Sequence, residues 1–423
     1  MKALILFIFF ASCHAQQGSK ESASPLPLFH GIENEVNSDV TFDEDILLIA
    51  DRRTSSLRMT RPDQVPDNRL DDETASYQEG YIQALIDENY FELLVRVYVP
   101  KPGVVYIYNL PKDDRIRKSI IAFVQDLPGI TEVHVVDEPP PDVVAKTEQL
   151  KEVRPHIKGV WFPETTVLFP PIIASPHEPV YSVAYRWGDA VIANNQIAVS
   201  LGDVFPLFRW FEVGRWKGDL QIDIAACMWA DFNMHPKIHP NDEWAELVNT
   251  DYLLSIPFSY AVDAWAFRFR IYHISSHLGD EFMVNNPNIL RLNPSFEAIE
   301  ILGSYQATLA FRLYGGPGFI INSDPSYPMK QFYVEYGFEW RFMVLRHHYH
   351  SLYGAPFLAI DMQQWQVAGW TPSLTIMAGY EWSKLLNAGR KVRLFFEYHN
   401  GYSEGQFFTN RTDYIAIRVS WGF

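Results

Sequence analysis

Apolar and polar side chains alternate residue by residue along the C-terminal part of this chain, in about twelve segments of roughly ten residues. A strand sends neighbouring side chains to opposite faces of its sheet, so each segment has one apolar face and one small or polar face. The final segment has one face formed by Ile415, Ile417, Val419, Trp421 and Phe423. The repetition of this pattern predicts a large antiparallel sheet.

Aromatic residues indicate which kind of sheet this is. A soluble sandwich also alternates, but its exposed face carries charges, and its apolar face rarely ends in Tyr or Trp at strand after strand. An apolar band capped by aromatic rings is typical of a lipid-facing barrel wall. Because lipid offers no partner to a free backbone, every strand must be paired and the sheet must close. We therefore expect an α+β chain in which residues 177–423 form an antiparallel transmembrane β-barrel of about 12 strands.

Loop lengths predict the orientation of the barrel. The long polar stretches Asp231–Thr250, Leu278–Leu290 and Gly401–Arg411 are expected to be extracellular, and the short turn Ala261–Asp263 periplasmic. This pattern gives an even number of strands with both ends of the barrel in the periplasm. Pro206–Gly218 is longer than the scheme allows, and we expect it to lie along the inner membrane interface.

The inward face of the expected barrel carries charges of both signs. A barrel of about twelve strands has a narrow lumen. Mixed charges in so narrow a space favour an ion-paired plug over an open channel. The residues expected to point inward are Arg186, Arg268, Arg270, Arg312, Arg418, Glu335, Glu339 and Glu397.

The N-terminus has the pattern of an export signal. Lys2 precedes a short apolar run and small residues follow, so residues 1–15 are predicted to be a signal peptide. Residues 10–13 also loosely resemble a lipoprotein signal, which would leave a lipidated Cys13 as the new N-terminus. If Cys13 is removed, Cys227 can form no intramolecular disulfide, and we expect it to be a buried or lumen-lining thiol.

A compact αβ domain is expected between two less regular segments. Residues 16–75 are polar and predict a flexible arm, and residues 138–176 predict a linker. Residues 76–137 read as helix, strand, strand, amphipathic helix and strand. Their pattern Gly-Val-Val-x-Ile from Gly103, then Leu-Pro, an amphipathic helix and Leu-Pro-Gly-Ile from Leu127, resembles the BON domain. The resemblance implies a periplasmic module that attaches to membranes or to envelope partners; a generic small αβ domain is the alternative.

Composition and the chain end predict the partners. A net charge of −16 argues against nucleic acid, whose binding proteins usually carry a basic footprint. Phe423 at the end of a strand resembles the recognition signal of bacterial outer-membrane barrels, which implies contact with the barrel-assembly machinery. Outer-membrane lipid and an envelope partner in the periplasm are the other expected partners. We expect the barrel in the bacterial outer membrane and the αβ domain in the periplasm.

Residues 160–423 as a whole resemble an uncharacterised family of bacterial outer-membrane proteins, known only as a domain of unknown function. The resemblance is carried by three segments, Tyr272–Glu281, Leu201–Asp203 and Phe169–Pro171. It implies a barrel and brings no assigned activity.

One polar group interrupts the expected lipid face. The face of Phe269 and Ile271 continues through His273, Ser275 and His277 to the extracellular end of the strand. An imidazole two residues from a hydroxyl on one face can take the hydroxyl proton as the oxygen attacks an ester.

The His-x-Ser pair is similar to those of outer-membrane phospholipase A and of lipid A deacylases. These enzymes act on acyl esters at the outer rim of a barrel, and the resemblance implies Ser275 as nucleophile, His273 as base and calcium as a cofactor if the chain is a hydrolase. Glu297 on the following strand is the predicted orienting acid, and Asn293 is a second candidate. Ser276 stands where such enzymes often carry Asn, which is a departure from their pattern.

Two other interpretations of this group stay open. The polar trio can simply be solvated at headgroup level, or His277, Asp280 and Glu281 can bind a metal ion. The sequence therefore leaves the question of enzyme activity open. One hypothesis is an outer-membrane barrel with a role in envelope structure or transport, the second is a hydrolase of phospholipid or lipid A esters, and the third is a binding protein that presents its long loops outside.

Overall fold

Twelve antiparallel strands close into a barrel, as the alternation predicts. The computed structural model describes residues 67–90, 93–137, 158–234, 245–289, 292–349, 352–403, 405 and 410–423. Each strand pairs with its neighbour in sequence, and the last strand pairs with the first through Val419 opposite Val183. Among these residues, no helix is both long enough and apolar enough to cross a membrane.

The barrel strands follow one another in chain order. The first six are β5 (Tyr181–Trp187), β6 (Asn195–Val213), β7 (Gly218–Asn233), β8 (Glu246–Val262), β9 (Trp265–Leu278) and β10 (Phe296–Gln306). The other six are β11 (Phe311–Ser323), β12 (Phe332–Arg341), β14 (Leu352–Trp365), β15 (Pro372–Leu385), β16 (Ala388–Tyr402) and β17 (Arg411–Gly422). The short strands β4 (Gly159–Trp161) and β13 (His347–Tyr349) pair with β6 and β14 at the edges.

Exposure alternates along the strands and confirms which side chains face outward. In β17 every second residue from Asp413 to Trp421 is exposed and the residues between them are buried. The prediction is wrong for Phe423, which is 4% exposed and packs with Val167. Phe423 follows the last paired residue of β17, so the pairing of the strand no longer fixes its direction. The Arg390 guanidinium lies over its ring, 4.3 Å from the centroid.

The lumen contains an ion-paired plug, as the mixed charges predict, and all eight charged residues expected inside are buried. Part of the plug comes from the stretch between β4 and β5. Its Phe169 ring lies between the guanidinium groups of Arg268 and Arg312, at 4.7 and 4.8 Å from the centroid. The main-chain carbonyl of Pro170 accepts a hydrogen bond from Arg312 at 3.0 Å. The predicted linker 138–176 thus ends inside the barrel.

The N-terminal module has the expected order of elements. It comprises α1 (Asp67–Asn89), β1 (Arg96–Lys101), β2 (Val104–Tyr108), α2 (Asp114–Gln125) and β3 (Glu132–Val135). The strand β2 lies between β1, which is antiparallel to it, and β3, which is parallel to it. The helix α1 starts inside the segment 16–75 expected to be a flexible arm, so that boundary is corrected. The signal peptide lies outside the described residues, and the resemblance to a BON domain stays a prediction.

The module packs against the end of the barrel that carries the short turns. Asp114 N donates to the carbonyl of Asp263 in the β8–β9 turn at 2.8 Å. The buried Arg115 side chain donates to the carbonyl of Asn387 in the β15–β16 turn at 3.3 Å, and also to the plug carbonyl of Val167. Burial lowers the pKa of Arg115, and the nearby Asp113 carboxylate opposes that shift. One α2 residue thus joins the module, the plug and the barrel.

Two of the loop predictions need correction. Pro206–Gly218 does not lie along the membrane interface, because β6 continues through it to Val213 and pairs with β7. The stretch Asp231–Thr250 is mostly strand, with β7 ending at Asn233 and β8 beginning at Glu246. After β9, the expected loop contains the short helix α3 (Asp280–Asn285).

Candidate functional site on the outer wall

The structure places His273 and Ser275 on the outer wall, as the alternation predicts. Both are partly exposed and share the face of the exposed Ile271, while their neighbours Tyr272 and Ile274 are buried in the lumen. The two polar residues lie in the second half of β9, away from the end that carries the module. A histidine and a serine therefore interrupt an apolar wall near the rim with the long loops.

Glu297 lies beside the imidazole, as predicted. It is the register partner of His273 on β10, and its Oε1 is 2.9 Å from His273 Nδ1. Glu297 shares the outward face, and its neighbour Phe296 is buried inside. The side chains of His273 and Glu297 are 30% and 43% exposed, so the pair is open to its surroundings.

Asn322 is a fourth member of this group that the sequence reasoning missed. Its Nδ2 donates to Glu297 Oε2 at 2.8 Å from the adjacent strand β11, where it is the register partner of Glu297. The two carboxylate oxygens thus bind one neighbour each. The other predicted orienting residue, Asn293, donates instead to Asp324 at 3.0 Å.

The hydrogen bond to Glu297 sets the protonation pattern of the neutral imidazole. A carboxylate accepts, so Nδ1 carries the proton and Nε2 keeps its lone pair. This is the tautomer of a histidine that takes a proton from a hydroxyl, with the carboxylate stabilising the imidazolium that forms. Ser275 lies two residues further along the same face, so its hydroxyl is the candidate proton donor.

The predicted metal site is not assembled in this structure. His277, Asp280 and Glu281 are all exposed, at the end of β9 and in α3. The His277 ring packs edge-on against Tyr252 at 5.8 Å. No group of three or more His, Cys, Asp or Glu side chains converges in the described part of the chain, so the metal site has no support from the geometry.

The closed sheet, the apolar outer face with its aromatic rings and the filled polar lumen define an outer-membrane-type β-barrel. The chain belongs to the family DUF1207, described as a protein of unknown function, whose match covers residues 95–423. This confirms the resemblance to an uncharacterised barrel family. No curated protein matches the sequence.

Several solved barrels are similar in structure. Outer membrane phospholipase A from Escherichia coli has 13% identity and a TM-score of 0.38, with 58% of this chain and 92% of that chain covered. The Salmonella typhi outer membrane phospholipase dimer with bound calcium has 13% identity and a TM-score of 0.38, covering 65% and 95%. LpxR from Salmonella typhimurium has 9% identity and a TM-score of 0.29, covering 58% and 100%. At TM-scores below 0.5 these similarities assign no activity.

Proposed function

We propose that this protein is a lipid-ester hydrolase of the bacterial outer membrane, with Ser275 as nucleophile, His273 as general base and Glu297 as the residue that orients the base. The supporting observation is the 2.9 Å contact between His273 Nδ1 and Glu297 Oε1 on the outward face of the barrel. A solvated headgroup-level histidine needs no carboxylate on the next strand. A base that must present Nε2 to a serine needs such a partner.

The reaction would proceed in two halves. Ser275 Oγ attacks the ester carbonyl carbon while its proton passes to His273 Nε2, and the imidazolium then gives that proton to the leaving alcohol oxygen. The acyl group stays on Ser275 as an ester. Water loses a proton to His273 and attacks this ester, which releases the fatty acid and returns the proton to Ser275. Glu297 holds the imidazole and stabilises its positive form in both halves.

The surroundings of Ser275 favour a lipid substrate. Leu254 faces His273 across the β8–β9 pair, Tyr252 faces Ser275, and both are exposed. Ile271 continues the apolar wall below them. A lipid beside this wall can lay its acyl chain along the apolar residues and present its ester at the level of the serine, where the wall becomes polar.

The test is acyl release from phospholipid and from lipid A in detergent, with and without calcium. We expect the wild type to release fatty acid and Ser275→Ala to lose all release while still folding. Ser276→Ala is the matched control, because the neighbouring residue points into the lumen and its loss should leave release unchanged. A wild type without release under both calcium conditions, or an active Ser275→Ala, would contradict the proposal.

A role in envelope structure is the second proposal. It is supported by the αβ module, which packs against the short-turn end of the barrel through Asp114 and Arg115. In the orientation that the loops predict, this end faces the periplasm, where the module would meet an envelope partner. Crosslinking in cells from α1, whose Tyr77 is 74% exposed, should capture such a partner; no capture from this position, or equal capture from the exposed Phe205 of β6, would contradict this role.

A further inference from the structure

A cavity in the lumen lies above the plug and is separate from the outer-wall site. It contains about 1020 Å³ of empty space, open solvent at its mouth included, and it extends from Ser175 and Pro176 of the plug to Ser373 and Tyr402 at the far ends of β15 and β16. A small organic molecule can enter it from the long-loop side.

The floor of the cavity carries more negative than positive charge. Arg268 and Arg270 both pair with Glu300, at 2.9 and 2.7 Å. The same two arginines also pair with Glu178, through contacts of 2.5 and 3.5 Å. Two carboxylates thus match two guanidinium groups, and this cluster is neutral.

Glu335 and Asp361 add two further carboxylates to this floor. Glu335 is 2% exposed and its Oε1 accepts from the Gln363 amide at 3.2 Å. Asp361 is 1% exposed and its Oδ1 accepts from the Tyr314 hydroxyl at 3.0 Å. These donors are neutral, and among the described residues neither carboxylate has an ion pair. Buried carboxylates without a counter-charge are costly unless a proton or a cation neutralises them.

The wall beside these acids is suited to an organic cation. Trp365 stacks on Tyr333 with ring centroids 4.2 Å apart and an angle of 17° between the planes, and both residues line the cavity. Ring faces attract ammonium and guanidinium groups, most strongly where water is displaced.

A second observation points to a ligand site in the same cavity. Ser403 is 5% exposed and lines the same cavity, and its hydroxyl has no hydrogen-bond partner among the described residues. A buried hydroxyl without a partner is uncommon, and a ligand group that donates or accepts a hydrogen bond would satisfy it.

We propose that this cavity binds a small organic cation, an amine or guanidinium compound, with its charge at Glu335 and Asp361 and its carbon skeleton against Tyr333 and Trp365. The ligand supplies the positive charge that the floor lacks. The site is independent of Ser275, because the two lie on opposite faces of the barrel wall.

Calorimetry on the full-length protein in detergent, with putrescine, spermidine and agmatine as probes, tests this site. We expect saturable binding to the wild type and at least a tenfold weaker affinity for the double variant Glu335→Gln, Asp361→Asn. These amides keep the shape of the acids and one oxygen that accepts a hydrogen bond, and they remove the negative charge. Asp324→Asn, which removes a partly exposed acid between β11 and β12, is the control for general charge attraction and should leave the affinity unchanged.

Three results would overturn the proposal. The first is a wild type that binds none of the three amines, which would mean that protons neutralise the two acids. The second is equal affinity of the wild type and the double variant. The third is binding of calcium or sodium that excludes the amines, which would make this a metal site.

Discussion

At the scale of single residues, the pair of His273 and Glu297 contributes to orientation more than to stability. Both side chains are substantially exposed, and exposed ion pairs usually stabilise a protein by about 0–1 kcal/mol. The register of β9 and β10 already holds their backbones opposite one another. The most important physical consequence of this contact is therefore that it fixes the tautomer of the imidazole.

Glu297→Gln is therefore expected to separate activity from stability. The amide can donate to Nδ1 and favour the other tautomer, so kcat for ester hydrolysis should fall by about 100-fold or more, while thermal stability stays within about 1 kcal/mol. Asn322→Ala leaves the carboxylate in place but removes one hydrogen bond that orients it. We expect kcat to fall about tenfold, which corresponds to the loss of one hydrogen bond to a charged group. Ester-hydrolysis kinetics and thermal unfolding of both variants measure these effects. A loss of activity that is accounted for by a matching loss of folded protein would contradict the prediction.

The sequence led to three members of the candidate site and missed the fourth for a definite reason. Alternation placed His273 and Ser275 outward, and the order of the strands placed Glu297 on the neighbouring strand. Asn322 lies one strand further away, across a pairing whose register shifts between Glu297 and Ala298. A shift of one residue moves a side chain to the other face, and no residue pattern of β11 reveals the shift.

At the scale of elements, the alternation of apolar and polar residues predicted the strands of the barrel. Residue composition gave wrong boundaries for one helix and one strand. The helix α1 has a mostly polar sequence with a weak apolar face, which made its beginning look like a flexible arm. Pro206 suggested a break, yet β6 continues past it because the strand absorbs the irregularity as a register shift between Pro206 and Phe208. The docking of α2 on the barrel could not be predicted, since it depends on turns that are distant in sequence.

The start of α2 is expected to control that docking. Asp113 caps the helix by accepting from the backbone N of Arg115 at 2.8 Å, and its carboxylate lies 3.6 Å from the Arg115 guanidinium. Asp113→Ala should lower the free energy of unfolding by about 1–2 kcal/mol through the loss of the cap. The buried Arg115 guanidinium is then poorly compensated, which brings the total loss to roughly 3 kcal/mol. Hydrogen exchange should then rise in α2 and in the β8–β9 turn.

The neighbouring acid provides a matched control for this experiment. Asp114 is also in the first turn of α2, but its ion pair with Lys118 at 3.0 Å is partly exposed. Asp114→Ala should therefore change stability by less than about 1 kcal/mol and leave exchange in the turn unchanged. Equal effects of the two substitutions would mean that the cap does not hold the module to the barrel.

At the scale of the whole molecule, the filled lumen bears on the transport hypothesis. The plug is held to the wall at several points, among them Ile173 N, which donates to Glu339 at 3.1 Å, and the Phe169 ring between two guanidinium groups. The module packs below the plug through Arg115. Ions that enter the cavity from the long-loop side thus meet a closed floor.

Planar bilayers should accordingly record no steady single-channel steps from the wild type. Phe169→Ala removes the ring that separates the Arg268 and Arg312 guanidinium groups, so like charges then face a gap that water can enter. We expect brief openings in this variant and none in Phe205→Ala, which removes an exposed ring from the outer face of β6. Steady conductance of the wild type would contradict the plug and would support the transport hypothesis, because ions could then cross the lumen that the plug fills.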